Sequence, residues 1–402
     1  MTSLVHVASP GRSWAGEVVL VRADLNAPLE AGPGGVRRVS DDARIRESVP
    51  TLRHLLDAGA AVAVCSHLGR PDGRRVDDLS LAPCAARLSE LLGQPVALLP
   101  DCVGPAVAAR VHALRPGEIV MLENLRFHPG EEANVAAFAD LLATGFTKYV
   151  HDAFGAAHRA HASTEAVARR LDPCAGLLLA REVDVLGGLL DNPAPPFAAV
   201  LGGSKVSDKL PLIENLLDRA DRILIGGAMC FTFLVALGDP VGDSLHEGEQ
   251  AQALALRLLD RAAKVNCTLQ LPTDILVADR FDADAEIKVV PSDAIPDGWM
   301  GVDIGPRTAA AYRDVIMAAG TVFWNGPMGA FEIPPFAAGT RAVAEAMAAS
   351  PAATVAGGGD SGAALGDLGL ADELTWVSTG GGAALELMEG RALPGVAALP
   401  TA

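Results

Sequence analysis

Along most of the chain, short uninterrupted apolar runs alternate with longer stretches whose apolar positions recur at helical spacing. Short apolar runs read as strands buried on both faces and the longer stretches as crossover helices, so the pattern predicts βα units around parallel sheets. In the first half the predicted strands are EVVLVR (17–22), AAVAVCS (60–66), EIVMLE (118–123) and TKYVHD (147–152). In the second half they are FAAVL (197–201), RILI (222–225), TVFW (321–324), ATVA (353–356) and LTWVS (374–378). Between the halves, AGLLLAREVDVLGGLLDN (175–192) keeps helical spacing and stops at PAPPF, which predicts a helix followed by a stiff connection.

A chain of 402 residues exceeds one ordinary core, so two domains are expected. The predicted fold class is α/β, with two Rossmann-like domains, each a parallel sheet flanked by helices. Their expected bounds are 1–174 and 193–389, joined by the 175–192 helix, with a tail from Gly390 to the end.

Hydrophobic residues make up 50% of the chain and the mean hydropathy is +0.29, yet no run approaches the roughly 18 apolar residues that span a bilayer. The opening segment MTSLVHVASPGRSW lacks the charged start and long apolar run of a secretion signal, so a cytoplasmic location and no membrane partner are expected. Six cysteines, at 65, 84, 102, 174, 230 and 267, contain no CxxC pair. That scatter suits reduced core thiols better than disulfides or a zinc site. A net charge of −17 argues against nucleic acid as a partner. Any anionic ligand must be drawn by a local concentration of positive groups.

In open α/β sheets, ligands sit beyond the carboxyl ends of the strands, which makes the loops there diagnostic. In the first half these loops carry Asp24 and Asn26, then His67, Gly69 and Arg70, then Arg126, then His158, Arg159 and His161, while Arg44 opens a nearby helix. Arginines gathered at several strand ends suit a small phosphorylated, hydroxylated acid, with Asp24 and Asn26 holding hydroxyls. The segment HRAH also places imidazoles at i and i+3, which leaves a metal site as the alternative there. The second half runs instead into glycine, at GGSK, GGAM, NGPMG, GGGDSG and TGGG. Glycine admits phosphate close to backbone N–H groups, and a helix start adds its dipole. Ser204 is the expected cap of a helix carrying Lys205 and Lys209 on one face. GGGDSG (357–362) fits GxGxxG, but Asp360 would repel a bare pyrophosphate. With Mg²⁺ that carboxylate becomes an asset. No GxxxxGK[ST] occurs, which excludes an ordinary P-loop.

The segments VRADLNAPL, SHLGRPDG, LENLRFH, DAFGAAHRAHAST, LGGSKVSDK, WNGPMGAFE, GGGDS and STGGGAALELMEG, in this order, resemble phosphoglycerate kinase over essentially the whole chain. The resemblance implies a monomer that moves a phosphoryl group between 1,3-bisphosphoglycerate and MgADP, giving 3-phosphoglycerate and MgATP. It implies an acid-binding first domain to which the C-terminal tail returns, and a nucleotide-binding second domain. The acid site would comprise Asp24, Asn26, Arg44, His67, Gly69, Arg70, Arg126, His158 and Arg159. The nucleotide site would comprise Gly203, Lys205, Lys209, Gly227, Gly301, Asn325, Glu332 on the ribose, and Gly358, Gly359, Asp360 and Ser361. Asp360 would serve Mg²⁺, with Asp208 a further candidate. HRAH then reads as phosphate recognition led by Arg159. Two departures stand out: His151 replaces a noncharged polar residue, raising the prospect of pH dependence near the acid site, and Ser361 replaces a common Thr.

The acceptor carboxylate is already ionised near neutral pH, so no general base is needed. Transition-state charge would fall to Lys205 and Arg44, helped by helix-end amides at Gly359 and Gly382. Two other classes predict different features. A nicotinamide dehydrogenase would show an acidic residue closing the next strand and no lysine pair at 205 and 209. A solute-binding protein would carry an export signal.

Overall fold

The computed structural model describes residues 3–32 and 37–402. They form two compact units, one of Met1–Asp184 with Ala392–Ala402 and one of Val185–Arg391.

The first unit is built on a six-stranded parallel sheet. Across the sheet the strands run Ala97–Leu98, Ile119–Met121, Ala61–Cys65, Val18–Arg22, Lys148–His151 and Asp172–Ala175. Every residue of AVAVC is buried, as expected of a central parallel strand with helices on both faces. The chain extends the sheet first to one side of Val18–Arg22 and later to the other, so the direction of winding reverses beside that strand. Such a reversal opens a crevice at the carboxyl end, where the loops that follow diverge.

The second unit repeats the plan: Thr268–Gln270, Arg222–Ile225, Phe197–Leu201, Thr321–Asn325, Ala353–Ala356 and Trp376–Val377, all parallel. Its winding reverses beside Phe197–Leu201. A separate antiparallel sheet of Asp274–Ala278, Ile287–Pro291 and Met300–Ile304 breaks the all-parallel expectation. Its outer strand IKVVP is largely exposed, so no buried run announces it.

Other boundaries differ for local reasons. The strand predicted at 374–378 shortens to Trp376–Val377, because Thr354 and Thr375 exchange side-chain-to-backbone bonds where the ladder would continue. The joining helix spans Leu177–Asp191 rather than 175–192, since Ala175 ends a strand. Its first amides are met from afar: Leu177 N donates to Thr51 Oγ1 at 2.8 Å, and Leu178 and Leu179 N donate to Asp152 Oδ1 at 3.0 and 3.2 Å. Those long-range caps replace a local capping residue. The division into units falls within this helix.

The tail packs on the first unit through Val5 N to Pro400 O (2.9 Å), Ala402 N to Ser3 O (2.8 Å) and Gly395 N to Ala157 O (2.9 Å). All six cysteines are buried and free. No helix among the described residues is long and apolar enough to cross a membrane.

Candidate functional site

At the carboxyl end of the first sheet, Arg22 closes its strand as a residue 1% exposed, and an ion so deeply buried has to be matched on every side. Its Nε donates to Ser163 Oγ at 2.8 Å, Nη1 to Ala23 O at 2.5 Å, and Nη2 lies 3.1 Å from His67 Nδ1. Ser163 in turn donates to Glu131, through Oγ to Oε1 at 2.5 Å and through N to Oε2 at 2.9 Å. A buried Arg–Ser–Glu chain thus underlies the crevice. Sequence reasoning missed Arg22 and Glu131. A cation ending a fully apolar strand was the available signal for Arg22, because burial demands partners; Glu131 sits in a polar stretch that offered none.

Above this chain the predicted acid-site residues converge. Arg44 Nη1 meets Asp24 Oδ2 at 2.5 Å, Asp24 Oδ1 accepts from Asn26 N at 3.2 Å, and Asn26 Oδ1 accepts from Gly69 N at 3.0 Å. Arg126, 4% exposed, donates from Nη1 to Gly69 O at 2.7 Å and pairs through Nε with Glu132 at 3.1 Å. Arg159 Nε donates to His158 Nε2 at 3.2 Å. Burial first, then Arg22, Arg126, Arg159 and Arg44, hold His67 well below the usual imidazole range. That joint influence places four guanidinium groups around one neutral ring. Arg70 is the outlier, exposed in its loop. His161 is likewise driven down to about 4, by burial and then by Arg126, Arg22, Arg159 and His158. Surroundings this cationic favour an anion over a metal between the HRAH imidazoles.

His151 is fully buried, and its pKa falls to about 3 through burial and then Arg22. It therefore stays neutral near pH 7, and its effect lies in acid stability rather than in charge near the acid site. Ala153 N donates to its Nδ1 at 3.3 Å, while Nε2 is buried without a hydrogen-bond partner.

In the second unit, the strand-end loops surround a cavity of about 460 Å³ that gathers Gly203, Gly227, Gly301 and Asp360, with Ser204 and Phe231 in its wall. Glycine is required where the loops cross: a Cβ on Gly227 would lie 2.4 Å from Gly203 N, and φ there is +65°. Lys209 and Asn325 stand together, Lys209 Nζ donating to Asn325 Oδ1, and Asn325 Nδ2 donates to Gly357 O at 2.6 Å. Burial lowers the Lys209 pKa, opposed first by Asp360 and then by Asp208 and Glu389, which sets a lysine and three carboxylates in one field.

The first helix after these glycines spans Val206–Leu217 with Lys205, not Ser204, at its N-cap. Glu247 supplies the missing acceptor, taking Ser207 N at 3.1 Å. Lys205 and Asp208 are exposed at this helix start. Gly359 and Gly382 are exposed first residues of Gly359–Leu368 and Gly382–Met388, with Asp360 in the first turn of the former. Gly358 abuts Asn325, Glu332 is exposed, and Ser361 is buried with its hydroxyl accepting from Gly326 N at 2.7 Å, shaping the loop from inside.

Two parallel α/β units, one ending in a basic pocket and the other in glycine loops with a lysine and an aspartate at helix starts, define an anion-handling phosphotransferase of the α/β class. Residues 12–391 match the family model described as phosphoglycerate kinase. The phosphoglycerate kinase of Roseiflexus castenholzii is 54% identical over 388 residues, covering 96% of this chain and 97% of the relative. That of Moorella thermoacetica is 53% identical, covering 95% of each. The solved structure of phosphoglycerate kinase from Coxiella burnetii superposes with a TM-score of 0.89 at 40% identity, covering 98% of both chains. The chain belongs to the phosphoglycerate kinase family. It is a glycolytic phosphotransferase that moves a phosphoryl group reversibly between 1,3-bisphosphoglycerate and a nucleoside diphosphate, and the family uses nucleotide substrates, generally with Mg²⁺.

Proposed function

We propose that the acid substrate binds the first unit and MgADP or MgATP the second. The observation that carries this reading is the cluster of Arg44, Arg126 and Arg159 around a neutral His67. Arg126 and Arg159 supply the fixed positive charge for the substrate phosphate. His67 donates a neutral hydrogen bond, and Asp24 and Asn26 accept from and orient the hydroxyl. Arg44, held by Asp24 Oδ2 at 2.5 Å, keeps a defined direction toward the reacting carboxylate.

In the second unit, the amides of the loops at Gly203, Gly227 and Gly358 receive the nucleotide phosphates, with Lys209 beside them. Asp360, exposed and lining the cavity, offers a hard oxygen donor at a helix start and would hold Mg²⁺ there. When bound, Mg²⁺ supplies charge neutralisation on the nucleotide phosphates. In the ATP-consuming direction the substrate carboxylate attacks the γ-phosphorus while the bond to the β–γ bridging oxygen breaks, leaving ADP. No proton has to be removed from the nucleophile. From the second unit, Lys205, exposed at its N-cap, supplies positive charge to the equatorial oxygens, with the amides of Gly359 and Gly382 as further donors. We further propose that the protein acts as a cytoplasmic monomer without nucleic-acid or membrane partners.

Calorimetry on Arg159→Ala tests the assignment of substrates to units. The expected result is 3-phosphoglycerate affinity reduced roughly tenfold or more, the loss of one charge-assisted hydrogen bond, with ADP affinity unchanged. A loss confined to ADP would overturn the assignment.

A further inference from the structure

The first unit holds a second cluster of ligand-type side chains away from the basic pocket. Asp101, Cys102 and His128 bring a carboxylate oxygen, a thiol sulfur and an imidazole nitrogen within 4.8 Å of one another, the only such group among the described residues. Asp101 and Cys102 follow the edge strand Ala97–Leu98, and His128 comes from the turn that N-caps Pro129–Glu132. His128 Nε2 already faces Asp101 Oδ1 at 2.7 Å, and its ring stacks on Phe138 with centroids 5.3 Å apart, so the nitrogen is aimed rather than free to rotate. The cysteine is 2% exposed, whereas the His128 and Asp101 side chains are 30% and 46% exposed. The cluster therefore has a dry sulfur at its back and an open mouth. Burial first, and then Asp101 and Glu131, push the Cys102 thiol up, so it is held as the neutral thiol until a cation displaces its proton.

We propose that Asp101, Cys102 and His128 form a binding site for a divalent transition metal of the zinc class. Sulfur, imidazole and a single carboxylate are the donor set such ions choose, while Mg²⁺ and Ca²⁺ choose oxygen alone. Tetrahedral bonds of about 2.0–2.3 Å set ligand atoms roughly 3.5 Å apart, so on binding the 2.7 Å Asp101–His128 contact opens while the wider separations, none above 4.8 Å, close by side-chain adjustment. A water fills the fourth position at the open mouth. On binding, the ion takes the lone pair of His128 Nε2, whose proton moves to Nδ1 as its hydrogen bond to Asp101 opens, and it replaces the Cys102 thiol proton, which leaves to solvent; no oxidation state changes. The spacing of the cysteines could not show this, because the ligands come from two segments that the sheet brings together. Since His128 directly follows Leu125–Phe127, a bound ion ties the edge loop to the segment carrying Arg126.

Cobalt(II) is the probe, because a cobalt–thiolate bond produces an intense near-ultraviolet charge-transfer band and tetrahedral cobalt strong visible bands. The reduced wild-type protein, titrated with Co²⁺ in excess Mg²⁺, is expected to develop both at one equivalent and to lose them when Zn²⁺ is added. Cys102→Ser is expected to abolish the charge-transfer band, and His128→Gln to weaken Co²⁺ binding at least tenfold. Absence of the band in the wild-type protein would overturn the proposal whatever the variants do. Persistence in Cys102→Ser, with the fold intact by circular dichroism, would overturn it equally, because the thiolate would then be another cysteine.

Discussion

Arg22 Nη2 lies 3.1 Å from His67 Nδ1, and a guanidinium can only donate. His67 must therefore present a lone pair at Nδ1 and carry its proton at Nε2. A buried residue beneath the pocket thus decides which edge of His67 is a donor.

Nitrogen NMR of the histidines reads this directly. At pH 7 His67 is expected as the neutral ring protonated at Nε2, and Arg22→Met is expected to let the tautomers mix. An imidazolium or an Nδ1–H ring in the wild-type protein contradicts the assignment. The same variant leaves Glu131 buried without its guanidinium, at a cost of about 3–5 kcal/mol, so the wild-type spectrum is the primary test.

Lys205→Ala should reduce kcat by about a hundredfold or more with little change in either KM, since its charge is needed on the transferring group rather than in the ground state. Steady-state kinetics in both directions measure it. A rise in KM for ATP with kcat intact would make Lys205 a binding residue only.

Asp360→Asn should raise the Mg²⁺ concentration needed for half-maximal activity by roughly tenfold, because one anionic oxygen is lost from a hard cation's shell. Titration of activity against Mg²⁺ at fixed ATP shows it; superimposable curves would move the ion elsewhere.

His151 bears on acid stability. Its folded pKa of about 3 lies below the value near 6.5 of the unfolded chain, so between those limits the unfolded state binds more protons and stability falls as pH falls. His151→Asn removes that contribution. Between pH 7 and pH 5 the variant should lose about 2 kcal/mol less stability than the wild type, at roughly 1.4 kcal/mol per pH unit below 6.5. Urea unfolding at the two pH values checks it, and parallel losses in both proteins would show that His151 titrates normally.

The parallel sheets were legible because buried strands such as AVAVC and FAAVL are apolar at every position, a signal that survives without neighbours. The arginines at strand ends and the glycines after the second set of strands were legible for a related reason: in an open α/β sheet the loop at a strand's carboxyl end is where ligands go. Which of those side chains meet was not. Lys209 reaches Asn325 and Ser163 reaches Glu131 across long sequence separations, and Glu247 rather than Ser204 satisfies the helix after Lys205. The antiparallel sheet escaped because its outer strand is exposed and carries no periodic burial. Local pattern determines what a segment can become, since burial and backbone propensity act residue by residue. Partners for buried charges, the tautomer of His67 and the meeting of Cys102 with His128 depend on strand order and on distances between segments remote in sequence, which only the folded chain decides.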